Sequence, residues 1–187
     1  YIYQDNQRIA EYSVDQTSLD LMAGVNVGLW GPVSVGWAER YRSAEVATGS
    51  PMLPAGSEHF GGFLAKLDFD QFDRLYDPTH GWAAHGSYFY AAGDGYDKAD
   101  LDLRAADNFG DYIVHGRIRG AGSFTGSLPF YDPVALGGFL NLSGFARNQI
   151  VGESLMYGNV RLEKIVGRLP AGLRGDMRVG LAVEGGK

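Results

Sequence analysis

The sequence predicts an all-β fold, an antiparallel sheet of about nine strands with the habit of a membrane β-barrel wall. Three observations carry that expectation. Apolar residues recur at every second position: Leu19, Leu21, Ala23, Val25, Val27 and Leu29 alternate with Asp20, Gly24, Asn26 and Gly28. The predicted strands are mostly ten to fourteen residues long, beyond the five or six common in soluble sheets and enough for a tilted bilayer crossing. Connections also alternate in size. Trp30–Pro32, Asp107–Gly110 and Arg168–Ala171 are short, whereas 44–57 and 125–153 are long, as in barrels with short turns on one side and long loops on the other.

Taken in order, the first strand (about 1–13) is rich in Gln, Asn and Asp and is the weakest, and the second covers 17–30. Leu21–Ala38 carries no charge, but Gly24, Gly28, Gly31, Pro32 and Gly36 interrupt it, so it predicts a hairpin about Trp30-Gly31-Pro32 rather than a membrane helix. Further strands follow at 32–43, 58–71, 81–92, 97–107, 111–124, 154–167 and 172–185. Two of these show one strongly charged face. Asp100, Asp102 and Arg104 alternate with Leu101, Leu103 and Ala105, and Arg174, Asp176, Arg178 and Glu184 alternate with Leu173, Met177, Val179, Leu181 and Val183. Such faces suit a wet lumen, and Trp30, Tyr41, Trp82, Tyr90 and Tyr112 near strand ends suit interfacial girdles. The other class open to this pattern is a soluble β-sandwich binding module, with the charged positions turned outward.

The chain has 187 residues, 28 of them Gly and none Cys, which removes disulfides, redox CxxC pairs and Cys-zinc sites. A net charge of −6 with no basic face argues against nucleic acid as a partner. His59, His80, His85 and His115 are dispersed without ligand spacing, so no metal and no cofactor is expected. Gly93-Asp94-Gly95 reads as a hairpin turn rather than a calcium loop, and Asp73 and Asp77 as turn formers. Val33-Ser34-Val35-Gly36 lacks the first Gly of a nucleophile elbow, so no catalysis is assigned. With no signal peptide before Tyr1 and no terminal aromatic at Lys187, the segment reads as a piece of a longer chain with two unpaired strand edges.

Asp73-Arg74-Leu75-Tyr76-Asp77-Pro78-Thr79-His80-Gly81 precedes three strands and then Leu136-Gly137-Gly138-Phe139-Leu140-Asn141-Leu142-Ser143-Gly144-Phe145. This order resembles the Omp85 superfamily, the bacterial surface antigen (D15) barrel, from Phe60 to Gly186. Tyr157, Asn159 and Glu163 are similar to the family's next strand, and Val179–Gly186 to the strand whose acid meets the loop motif. The resemblance implies about strands five to thirteen of a sixteen-stranded outer-membrane barrel, with loop 125–153 folded inward. The loop motif comprises Gly137, Gly138, Leu142, Ser143, Gly144, Phe145 and Arg147, and the docking strand carries Arg174, Asp176 and Glu184. The family's motif Arg falls at Ser143, so Arg147 is expected to reach Glu184 in its place.

Leu142–Asn148 is most similar to barrels that follow a patatin-like phospholipase domain, the type Vd autotransporters. That likeness implies a translocator whose partners are outer-membrane lipids and a passenger or unfolded client, located in the bacterial outer membrane. An assembly factor that inserts other barrels, from the same superfamily, shares the loop motif and stays open.

Overall fold

The computed structural model describes residues 2–4, 7–48, 55–93, 95–129, 131–169 and 175–187. Among the described residues eleven strands follow one another: β1 (Ile2–Gln4), β2 (Gln7–Val27), β3 (Gly31–Thr48), β4 (Gly56–Asp70), β5 (Gly81–Ala92), β6 (Asp97–Phe109), β7 (Tyr112–Gly122), β8 (Val134–Leu136), β9 (Ile150–Gly152), β10 (Leu155–Arg168) and β11 (Asp176–Gly186). Nine form one sheet in the order β1-β2-β3-β4-β5-β6-β7-β10-β11, and every neighbouring pair is antiparallel. The other two pair with each other as a small ribbon inside the long loop.

From β2 to β7 the sequential order follows from connections too short for crossovers, while the long connection 123–154 still brings β10 back beside β7 in antiparallel register. The chain turns between β2 and β3 at Gly28–Trp30, where Gly28 takes φ +57° and the Trp30 amide bonds to the Val27 carbonyl. The expected break near residues 14–16 is absent. β2 runs unbroken from Gln7, with the polar stretch Ser13–Gln16 paired to Arg42–Glu45 of β3. No Gly or Pro lies within Ser13–Gln16, and ladder hydrogen bonds do not depend on side-chain polarity.

Cross-strand partners share a face, so the ladders sort the side chains. Leu21, Trp37, Phe63 and Tyr90 lie in one row, and the pairs Val160–Val183 and Leu162–Leu181 lie on the same face of β10 and β11. This apolar face is open: Leu21 is 69% exposed, Leu101 44%, Val160 59% and Leu181 82%. Among the described residues no second sheet covers it, as a sandwich would require. The opposite face carries Asp20, Lys66, His85, Asp100, Asp102, Arg119, Glu163 and Arg178, and the inserted segments lie against it. The buried apolar cluster sits at one end of that face. Phe60, Leu64, Phe89 and Tyr157 of the sheet meet Leu128, Val134 and Leu136 of the loop.

Candidate functional site: the loop on the polar face

Loop 125–153 folds onto the polar face of the sheet, and three carboxylates hold it. Asp97, at the start of β6, anchors its root: the Ser123 and Thr125 hydroxyls and the Phe124 and Thr125 amides all donate to it. Asp132 follows, wholly buried. Its carboxylate accepts Arg42 Nη1 of β3 at 2.9 Å and Lys98 Nζ of β6 at 2.7 Å, with Arg40 at 3.9 Å and the Tyr96 hydroxyl at 3.1 Å. Arg42 also donates to the Tyr131 carbonyl, and Lys98 to the carbonyls of Asp132 and Pro133. Burial first, then the adjacent Asp132 charge, pushes the Tyr96 hydroxyl far above the usual tyrosine range.

Between β8 and β9 the lobe 137–149 is a chain of tight turns. Gly137 has φ +126°, and a Cβ there would stand 2.3 Å from the Ala146 carbonyl oxygen, so no other residue fits. Gly138 (φ +116°), Leu140 (+52°), Leu142 (+76°) and Asn148 (+55°) share the left-handed habit. Left-handed leucines are uncommon, and strain of this kind collects at functional sites.

The turn it produces aims two consecutive amides at one wall carboxylate. Leu142 N and Ser143 N donate to Glu184 at 3.2 and 2.5 Å, which forms an anion-binding nest. Tyr157 adds its hydroxyl to Glu184 at 2.8 Å and is itself held by Asn159 Nδ2 at 2.8 Å. Arg117 stands over the Tyr157 ring, grips Asp102 with two bonds and donates to the Leu140 carbonyl.

The structure therefore brings Leu142, Ser143 and Glu184 together, with Gly137 and Gly138 shaping the lobe. Arg147 departs from expectation. Its side chain is exposed and, among the described residues, forms no ion pair; the backbone nest occupies the place an arginine would take. Gly144 and Phe145 lie on the solvent side of the lobe, where the Phe145 carbonyl accepts the Gly138 amide and the Phe145 amide donates to the Leu142 carbonyl. Asp176 is near Arg74 and Arg178, away from the loop, while Arg174 and Asp94 lie outside the described residues. Sequence reading missed Asp97 and Asp132.

Below the lobe a cleft of about 360 Å³ is lined by Phe72, Leu75, His85, Arg104, Arg161 and Phe139, among others. His85 and His115 both border it, as a shared wet face requires. Ligand atoms of Asp77, His115 and Glu163 lie within 4.8 Å of one another, but the Arg178 guanidinium bonds to both carboxylates and fills the place of a cation. Among the described residues the histidine rings His80, His85 and His115 pair with the carboxylates of Asp107, Asp68 and Glu163. What the arrangement does is fix a long loop against a charged wall at separated points.

No protein-family model matches this chain, and no curated protein matches it. The described residues contain no helix long and apolar enough to cross a membrane.

Proposed function

We propose that the chain is a stretch of the wall of an outer-membrane β-barrel of the Omp85 type, with a translocator role and an inward loop that shapes the polypeptide's path. One observation carries this reading: the sheet exposes its apolar face and turns its charged face toward the inserted loop. A soluble protein rarely leaves so large a contiguous apolar surface open. The aromatics support the same orientation. Trp30, Tyr41, Trp82, Tyr90 and Tyr112 are all exposed, and Trp30, Phe69 and Trp82 pack edge to face at 6.0–6.5 Å beside the short turns. Trp82 and Tyr90 are eight residues apart on one face of β5, about 26 Å of strand and about 20 Å of height at barrel tilt, near the usual apolar band. The likeness of Leu142–Asn148 to type Vd autotransporters favours delivery of a lipase domain over insertion of other barrels.

Because these residues include no Cys, single cysteines placed in the protein that carries them report each face directly. In lipid vesicles, cysteines at Leu101, Val160 and Leu181 should resist aqueous maleimide, and one at Asp100 should react. Equal reactivity at all four, together with a monomeric protein in detergent-free buffer, would falsify the membrane reading.

A further inference from the structure

The connection between β4 and β5 is ten residues, 71–80, and its root is rigid. Gln71 N bonds to the Trp82 carbonyl and Asp73 N to the His80 carbonyl, while the Asp73 carboxylate accepts the Thr79 and His80 amides and the Thr79 hydroxyl. The tip, Arg74–Pro78, is held differently. It crosses the polar face to β11, four strand positions from β5 and about 19 Å away in a flat sheet. There Arg178 Nη1 meets Asp77 Oδ2 at 2.9 Å, Arg178 Nη2 donates to the Asp77 carbonyl at 3.4 Å, and Arg74 faces Asp176 at 3.7 Å. Of the tip's apolar residues, Leu75 and Tyr76 are both 83% exposed, and Pro78 is half-buried at the cleft. Behind the tip lies the cleft that Phe72, Leu75 and Pro78 help to line.

We propose that residues 74–78 are a strap latched across the polar face by Arg178, whose release opens the cleft beneath the inward loop. The latch is built to let go. Arg178 is nearly buried, yet it also bonds Glu163 at 3.3 Å, so losing Asp77 does not leave an unpaired buried cation. Glu163 is shared in turn with His115 and Arg161, which keeps Arg178 seated on the wall. On the strap side, Asp77 and Arg74 are each about half exposed and pass easily into water. The connection thus has a fixed root and, among the described residues, a tip whose polar contacts across the face run to the charged side chains of Arg178 and Asp176. Such contacts weaken as salt shortens the screening length from about 10 Å to about 3 Å.

Spin labels on cysteines at Tyr76 and Leu181, both exposed, measure the strap against β11 in the intact protein. The native background should give one narrow distance. The double variant Asp77→Asn with Arg74→Gln, or 1 M salt, should broaden it and speed thiol modification of a cysteine at His85 by about tenfold. These substitutions leave Arg178 on Glu163, so the wall keeps its pairing. An unchanged distance distribution in the double variant overturns the latch, as does equal broadening by Leu75→Ala, which removes no charge. The measurement makes no use of lipid exposure. A strap that stays shut while the maleimide pattern holds sinks the latch and spares the membrane reading.

Discussion

At Asp132 a carboxylate of the loop is carried into the cations of the wall, whereas at Glu184 a carboxylate of the wall receives the backbone of the loop. The first anchorage is made of side chains from β3 and β6, and each partner can be removed alone. The second depends on a strained turn, in which the Leu140 amide donates to the Ser143 hydroxyl and two consecutive backbone amides face Glu184. A loop can thus be fixed either by what its residues carry or by the shape its backbone takes. The two kinds of anchor answer differently to substitution.

The largest effect is expected at the side-chain knot. Asp132→Asn leaves Arg42 and Lys98, with side chains 13% and 20% exposed, facing a neutral amide. Removing one partner of a buried charge cluster costs about 3–5 kcal/mol. Denaturant unfolding in detergent should show that loss, and hydrogen exchange should rise first across Leu128–Leu136. A loss below about 1 kcal/mol would mean that the knot is solvated like a surface pair.

A smaller effect belongs to the nest. Glu184→Gln keeps the shape but turns charge-assisted bonds from two amides and the Tyr157 hydroxyl into weaker ones, an expected loss of about 1.5–3 kcal/mol. Arg147→Ala should stay within about 0.5 kcal/mol, because its side chain is exposed and unpaired among the described residues. Equal losses in both variants would return the pinning role to Arg147 and dissolve the contrast between the anchors.

The contrast also explains what could be read from the residues in advance. Alternation of two marks which side chains share a face, so the apolar faces through Leu101 and Leu103 and through Leu181 and Val183 were legible before any coordinate, whereas the solvent they meet was not. That the loop meets Glu184 followed from a family likeness at Gly137–Phe145, not from local pattern. The nest itself was invisible because amides leave no mark in composition; only the unusual dihedrals at Leu140 and Leu142 disclose it. Asp132 was missed for another reason. Its partners Arg42 and Lys98 are 90 and 34 residues distant, and a single buried acid inside a loop rich in Gly and Pro carries no periodic signal. Arg178 was read as one member of an alternating row, and the turn acid that it reaches 101 residues earlier could not be paired with it by spacing.

An effect confined to low pH lies at the strap root, where a side-chain carboxylate binds backbone amides as Glu184 does, but outside the loop. The Thr79 hydroxyl, with the His80 and Thr79 amides and despite some desolvation, holds Asp73 at about 2 against an ordinary 3.8. A depressed carboxylate contributes stability in full above its unfolded value, and the contribution disappears as pH falls through the folded one. The root should therefore be intact above about pH 4 and loosen toward pH 2. Amide chemical shifts of Thr79 and His80 should follow a midpoint near that lower value, and Thr79→Val, which deletes the largest cause, should move the midpoint up toward 3.8. If the midpoint stays put in Thr79→Val, the amides alone set it, and the strap root is a backbone nest of the same kind that holds Glu184.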